Sequence, residues 1–382
     1  MRIAHARREG FALAMAIAAI VVIGAMIAGV FFASTQEFRI GRNTLLQSRA
    51  LTAAEYGLNA AMAPGNWSGS WNTMGTGTVV TREFLPGDGS VDTIRLTKLN
   101  SDHLWLVSEG FAGSGLGAQA RRRIGAMLAL DVPQLNMLAA LTTQGQLKIG
   151  GSSFIDGTDN TYAGWSCPAA GPSKPGIALP DSTDITTSGC GGLSCVVGSP
   201  KVLETVVAAD TNTYFTYGSS DWADLTGMAG TVEPPGATRN GMQESYTAGG
   251  ACNTADPNNW GDPYKALSPP AGACENYFPI IYASGNLKIA GGYGQGVLLV
   301  EGDLDVQGGF EFYGPVIVRG MLKTGGTGGH FNGGVMAANV DLAQNTVLGN
   351  AVVSYSSCTV MKALSGSAIP TIARGRSWVE VY

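Results

Sequence analysis

The sequence is poor in charged residues and in histidine. Only 13% of its 382 residues are charged, against roughly 25% in a typical globular protein. The net charge is -5, whereas nucleic-acid-binding domains carry basic surfaces. The three histidines, His5, His103 and His330, are scattered and form no Cys/His zinc pattern. We therefore predict no nucleic-acid partner, no metal and no cofactor.

The sequence also lacks the common catalytic motifs. It has neither a GxSxG nucleophile elbow nor a GxxxxGK[ST] phosphate loop. The best catalytic candidates are Glu301, Asp303 and Asp305, because alternate residues of a strand share a face, and they are also a weak calcium-site candidate. Alternating carboxylates are equally typical of a solvated strand face. We predict that the protein is not an enzyme.

The longest hydrophobic segment of the sequence is the apolar run at residues 11–33, which contains no charge. As a helix rising ~1.5 Å per residue it is about 34 Å long, enough to cross a hydrocarbon core of ~30 Å. Arg2, Arg7 and Arg8 precede it, and positive residues stay on the cytoplasmic side of a membrane. We predict a single-pass inner-membrane helix with a cytoplasmic N-terminus and an extracytoplasmic body.

The junction before this run resembles the leader of type IV prepilins. Arg7-Arg8-Glu9-Gly10-Phe11 provides basic residues, a glycine and then a phenylalanine. In that family a membrane peptidase cuts after the glycine and methylates the new amino terminus. The resemblance therefore implies processing at Gly10 and Phe11 and names the prepilin peptidase as a partner. An uncleaved signal anchor is the alternative.

Residues 34–62 continue the helix and make it amphipathic. Apolar residues recur at helical spacing, and Pro64 follows the predicted helix end. The block ALTAAEYGL at 50–58 resembles the A-L-x-A-A-E-x-G-L segment of minor pilins of the PilX type. The resemblance covers about the first 62 residues. It implies that the helix binds other pilins or pseudopilins in a filament.

One position differs from the pattern of major pilins. That family has glutamate at the fifth mature position, as a counter-charge for the amine of a neighbouring subunit. Here the position is Met15, and residues 11–33 contain no carboxylate. A bare charge in the apolar zone costs roughly 2.5–3.5 kcal/mol on insertion scales, so the missing partner disfavours a long homopolymer. We therefore predict a minor subunit that primes assembly or sits at the tip.

A small antiparallel β segment is predicted after the helix, within residues 63–132. Alternating apolar residues mark three strands: Thr93–Leu99, His103–Ser108 and Arg122–Leu130. A helix followed by a few antiparallel strands is the pilin-like arrangement.

The remaining body, residues 133–382, is predicted to be a β-helix or solenoid. Residues 144–151 (QGQLKIGG) closely match residues 284–291 (SGNLKIAG). Three later windows each contain an apolar strand, a glycine turn and a second short strand: 296–314, 315–333 and 334–350. A spacing of ~20 residues suggests units that bury their apolar sides against one another. A sandwich of hairpins is the alternative.

A Gly-, Pro- and Ser-rich insertion, residues 157–279, separates the two related segments. The chain has six cysteines, of which all but the last lie in this insertion: Cys167, Cys190, Cys195, Cys252, Cys274 and Cys358. An even number in an exported chain indicates disulfides, but six cysteines allow 15 pairings. Cys358 is predicted either to pair with a cysteine of the insertion or to remain free.

The insertion is also a candidate for a surface ligand, because binding residues often lie on loops carried by a rigid scaffold. Its aromatic residues either contact a partner or pack the insertion itself: Trp165, Tyr214, Tyr217, Trp222 and Trp260.

Together these patterns predict an α+β protein that acts as a non-enzymatic pilus subunit and reaches the cell surface. The predicted division is a leader (1–10), a transmembrane helix (11–33), an amphipathic helix (34–62), a small β segment (63–132) and a β-helix-like domain (133–382) with the insertion. An uncleaved, membrane-anchored adhesin is the main alternative. A carbohydrate-active β-helix enzyme is a further one.

Overall fold

The computed structural model describes most of the chain. The described residues are 9–62, 74–87, 90–100, 102–113, 119–162, 164–265, 272–338, 345–366, 368–373 and 378–381. Most of the predicted leader, residues 1–8, and the predicted helix end at Pro64 lie outside them.

A single helix, α1 (Glu9–Met62), confirms the predicted continuous N-terminal rod. Its apolar first half is uncovered, with Phe11 74% exposed, and it is long and apolar enough to cross a membrane. Its last turns instead bury a narrow face made of Ala50, Ala54, Leu58 and Ala61. The two halves of the same helix therefore have different surroundings.

The buried face of α1 packs on an antiparallel sheet. Its first four strands, in chain order, are β1 (Val79–Phe84), β2 (Val91–Lys98), β3 (His103–Ala112) and β4 (Ala120–Asp131). Each pairs with the next. The structure confirms the three predicted strands and adds β1.

Alternation explains which side of this sheet faces the helix. Ile94, Leu96, Leu104 and Leu106 lie at alternate positions of their strands and are fully buried in one core with α1. The alanines of α1 permit a close approach. At Gly110 the approach is so close that a Cβ atom would lie 1.9 Å from the carbonyl oxygen of Ala50.

The body begins after β4 and contains short strands and short helices. A crossing segment, residues 205–230, later takes the chain from one end of the body to the other. The strands before this segment are β5 (Leu141–Thr143), β6 (Leu147–Gly150), β7 (Phe154–Asp156), β8 (Ile177–Leu179), β9 (Ile185–Ser188), β10 (Val196–Val197) and β11 (Val202–Glu204). The crossing holds α2 (Asn212–Phe215), β12 (Thr216–Tyr217), β13 (Ser220–Asp221) and α3 (Trp222–Gly227).

The second part of the body contains the longer strands. They are β14 (Thr231–Glu233), β15 (Ala237–Met242), β16 (Ile280–Ala283), β17 (Leu287–Gln295), β18 (Val297–Val300), β19 (Leu304–Gln307), β20 (Phe310–Val318), β21 (Leu322–Thr324), β22 (Gly329–Ala337), β23 (Asn345–Val347) and β24 (Val352–Tyr355).

These strands form three parallel ladders, which confirms the predicted solenoid. The first ladder runs β14-β16-β18-β20-β22-β5-β8-β11, and the second runs β15-β17-β19-β21-β23-β6-β9. The third ladder joins the second half of β17 to the first halves of β20 and β22 and then to β24, β7 and β10. In the first ladder, Leu298, Val316, Val335, Leu141 and Ile177 form one buried row.

The stacking order of the coils differs from the chain order. The first coil, residues 141–156, lies inside the stack, against the coil at 335–355. The chain winds from it to one end at β11, crosses the outside through residues 205–230 and begins again at β14. Much of the predicted insertion 157–279 therefore supplies coils of the solenoid. The local sequence pattern did not reveal this.

The chain finally returns from the body to the antiparallel sheet. After α4 (Ser357–Gly366), strands β25 (Ile369–Ile372) and β26 (Trp378–Val381) both pair with β4. The predicted division had placed these residues in the β-helix-like domain, so the C-terminal segment differs from that assignment.

Candidate functional site

The structure gives each of the predicted carboxylates its own protein partner. Glu301 pairs with Arg319 and accepts a hydrogen bond from Trp222 Nε1 at 3.0 Å. Asp303 accepts one from the backbone N–H of Met321 at 2.9 Å. Among the described residues, no group of three or more His, Cys, Asp or Glu side chains could hold a metal ion.

Glu301 belongs to a set of side chains that we call the arginine cluster: Phe215, Trp222, Glu301 and Arg319. The crossing segment 205–230 brings Phe215 and Trp222 against the first ladder. The Arg319 guanidinium lies 4.9 Å from the ring centre of Phe215 and 5.8 Å from that of Trp222. Arg319 thus stacks on aromatic rings while it neutralises a carboxylate.

The other aromatic candidates of the insertion have different environments. Tyr214, Tyr217 and Trp260 are at most 1% exposed and belong to the solenoid core. Of the two alternatives for these three residues, partner contact or internal packing, internal packing is the one observed. Trp165 is partly exposed and stacks on Tyr313, with ring centres 5.7 Å apart.

The cysteines form three disulfides: Cys167–Cys358, Cys190–Cys195 and Cys252–Cys274. The first joins the loop after the first coil to α4. Of the two possibilities for Cys358, pairing with a cysteine of the insertion is the one observed.

A second aromatic group, which we call the tyrosine cluster, contains Glu244, Tyr264, Tyr293, Glu311 and Tyr313. On the third ladder, Tyr293 and Glu311 are neighbours in register. The Tyr264 hydroxyl donates a hydrogen bond to Glu311, and that of Tyr293 donates one to Glu244 at 2.5 Å. The rings of Tyr264 and Tyr293 meet edge to face, with centres 4.9 Å apart.

The hydroxyls of this cluster remain protonated and act as donors. Burial, followed by the nearby carboxylates, raises the pKa of Tyr264 and of Tyr293 above the ordinary tyrosine value. Burial likewise raises the pKa of Tyr313 to about 12. Tyr264 is nevertheless 50% exposed, so its ring is accessible from solvent.

Sequence patterns do not reveal this cluster, because its members come from four separate segments of the chain. One local signal was present: the alternation of Glu311 and Tyr313 on a strand whose intervening residue, Phe312, is fully buried. Alternate residues share a face, so Glu311 and Tyr313 lie on the face opposite Phe312, where Trp165 and Tyr264 cover the ring of Tyr313.

A buried carboxyl lies elsewhere, between α1 and the antiparallel sheet. Asp92 is fully buried, and its Oδ1 accepts a hydrogen bond from Ser108 at 2.6 Å. Its Oδ2 has no hydrogen-bond partner among the described residues and faces Gly57, where a Cβ atom would overlap it. Burial, the largest cause, raises the pKa of Asp92 from 3.8 to about 6; Glu109 acts in the same direction and Ser108 opposes it.

Comparison with known proteins gives little further information. No family profile matches the sequence, and no curated protein matches it. Among solved structures, the chain aligns with the crystal structure of the competence-associated pilin ComZ from Thermus thermophilus at 14% identity. The alignment covers 88% of this chain and 97% of that chain, with a TM-score of 0.25. Such a score does not establish a shared fold.

Proposed function

We propose that the chain is a minor subunit of a type IV pilus or a related secretion filament. In this proposal the prepilin peptidase cuts between Gly10 and Phe11, and α1 remains in the inner membrane until assembly. The helix then packs among the helices of other pilins or pseudopilins, and the solenoid is carried at the tip or surface of the filament. The role is mechanical and not catalytic.

The observation that carries the proposal is the division of α1 into two halves. The first half is an uncharged apolar rod on which none of the described residues packs, and the last turns are fixed to the sheet through Ala50, Ala54 and Leu58. An exposed apolar rod of this length requires either lipid or other apolar helices around it. A rod that a sheet holds rigidly can move between these two environments without refolding of the body.

Processing at the glycine provides the first test. N-terminal sequencing of protein from sheared surface filaments is expected to begin at methylated Phe11. A Gly10→Val variant should remain uncleaved and membrane-bound, because a β-branched side chain obstructs the close backbone approach that glycine permits. Gly24→Ala is the control: a Cβ atom at Gly24 meets nothing within 4 Å, so cleavage should proceed. Wild-type protein that retains Met1 and never enters the filament fraction would refute the proposal.

The same experiment separates the main alternative. An anchored adhesin would present the same solenoid, but it would retain its leader and stay with the membrane after shearing. Antibody labelling then tests the minor role: sparse or terminal labelling is expected. Dense labelling along every filament would show a major subunit instead.

A further inference from the structure

The arginine and tyrosine clusters are built from the same kinds of side chain, but only one contains a strong cation. In the arginine cluster, two aromatic rings and Glu301 surround the Arg319 guanidinium. In the tyrosine cluster, aromatic rings and two carboxylates are grouped in the same way. The tyrosine hydroxyls of this cluster donate hydrogen bonds to Glu244 and Glu311. Because a hydroxyl donor is neutral, these bonds leave both negative charges in place.

Basic side chains neutralise the negative charge of several other acidic residues in the chain. Glu109, Glu233, Glu275 and Asp303 each form an ion pair with a lysine or an arginine. These carboxylates range from the fully buried Glu233 to the partly exposed Glu275, so pairing with a basic side chain does not depend on burial.

Within the described part of the chain, neither Glu244 nor Glu311 has such an ion pair. The basic group that faces Glu311 is His330, whose Nδ1 lies 3.7 Å from Glu311 Oε1. The Nε2 atom of His330 is buried without a hydrogen-bond partner. Burial, the largest cause, raises the pKa of Tyr293, and Glu244, Asp262 and Tyr246 raise it further. In contrast, the positive charge of Arg319 acts to lower the pKa of Tyr217 and of Tyr282. The tyrosine cluster is therefore an electron-rich, negatively charged region of the surface.

The geometry of the cluster suits a planar cation. The Tyr264 side chain is half exposed, and the side chain of Glu311, which its hydroxyl contacts, is 32% exposed. A guanidinium can stack on a ring while its edge N–H groups face a carboxylate, and it is more weakly hydrated than an ammonium. We propose that the tyrosine cluster binds the guanidinium of an arginine side chain supplied by a partner protein, in the arrangement that Arg319 shows within the chain.

This proposal does not depend on filament assembly, so it can be tested on the full-length protein in detergent micelles. The probe is N-acetyl-L-arginine amide, which imitates arginine within a protein. Its neutral counterpart is N-acetyl-L-citrulline amide, which has the same shape without the charge. Guanidinium chloride supplies the cation as a small molecule. Saturation-transfer NMR at constant ionic strength measures the dissociation constant of each.

We expect arginine amide to bind at least tenfold more tightly than citrulline amide. Glu311→Gln and Tyr264→Ala should each weaken arginine binding at least fivefold, because they remove the counter-charge and the ring. Glu275→Gln is the matched control: Glu275 is similarly exposed but already paired with Lys265, so binding should be unchanged. Thermal unfolding of every variant verifies that it is folded.

Equal binding of arginine and citrulline amides would overturn the proposal. So would an unaltered dissociation constant in a folded Glu311→Gln variant. Tighter binding of arginine amide than of guanidinium chloride supports a protein source for the ligand. Tighter binding of guanidinium chloride than of arginine amide would overturn the proposal of a protein partner and would indicate a site for a small guanidinium compound.

Discussion

At the scale of single residues, Asp92 is the least expected feature of the molecule. A carboxyl buried between a helix and a sheet is unfavourable when it is ionised, since a buried charge requires partners. Asp92 has one donor, Ser108, whose hydroxyl also lies 2.5 Å from the carbonyl oxygen of Ala54. One hydroxyl proton cannot serve both acceptors. A protonated Asp92 removes this conflict, because it can itself donate to Ser108.

The raised pKa of Asp92 predicts a pH-dependent stability. The folded protein binds this proton more tightly than the unfolded chain, so the contribution is fully present below about pH 4 and is lost as pH rises through 6. The shift from 3.8 to about 6 corresponds to about 3 kcal/mol. Asn cannot ionise, so the free energy of unfolding of Asp92→Asn lacks this loss. The difference between the variant and wild type should therefore change in favour of the variant by about 3 kcal/mol from pH 4 to pH 8.

Urea unfolding of both proteins across this pH range measures the difference. A constant offset between Asp92→Asn and wild type at all pH values would contradict the prediction.

Gly110 gives a second prediction at this scale. Because a Cβ atom there would lie 1.9 Å from the Ala50 carbonyl oxygen, Gly110→Ala must push α1 away from β3. Overpacking of this kind typically costs about 1–3 kcal/mol, and urea unfolding should show a loss of this size or larger. Gly41→Ala serves as the control, since a Cβ atom there meets nothing within 4 Å. An equal effect of both substitutions would argue against this packing.

At the scale of elements, the sequence predicted what local periodicity encodes. The alternation in β2, β3 and β4 and the repeats in the body were sufficient to predict an antiparallel sheet and a solenoid. The position of the first coil inside the stack was not predictable, because it depends on pairing between Val335 and Leu141, which are far apart in the chain. The pairing of β25 and β26 with β4 is non-local for the same reason.

The candidate sites likewise divide into features that the local sequence encodes and contacts that depend on distant segments. Glu301, Asp303 and Asp305 were found from their local pattern. The partners Arg319 and Met321 come from the next coil, whereas Gln307 lies two residues after Asp305 on the same strand. The tyrosine cluster requires four segments to meet. No one-dimensional pattern connects Tyr264 with Tyr293.

The disulfides give a prediction at the element scale. Cys167–Cys358 closes a loop of 191 residues, whereas Cys190–Cys195 closes one of 5. In the chain-entropy relation these closures correspond to about 5 and about 2 kcal/mol. Cys167→Ser/Cys358→Ser should therefore destabilise the body more than Cys190→Ser/Cys195→Ser does. Urea unfolding of the two double variants measures both losses, and equal losses would contradict the loop-length argument.

At the scale of the whole molecule, the body and the sheet are joined twice. The chain leaves β4 to enter the solenoid and returns to β4 through β25 and β26. The packing of Ala50, Ala54 and Leu58 fixes the same sheet to α1. A force on α1 is therefore transmitted to the body through a sheet that holds both connections, which suits the proposed role in a filament.

The proposed minor role leads to a last prediction about incorporation. If the missing carboxylate at Met15 limits homopolymer stacking, Met15→Glu should give each incoming subunit a counter-charge for its neighbour's amine. The new charge costs roughly 2.5–3.5 kcal/mol in lipid, but pairing within the filament offsets this. We expect several-fold denser antibody labelling along filaments. Met15→Gln, which is polar but uncharged, should leave the density at the wild-type level, and an equal increase in both variants would show that polarity and not charge pairing controls incorporation.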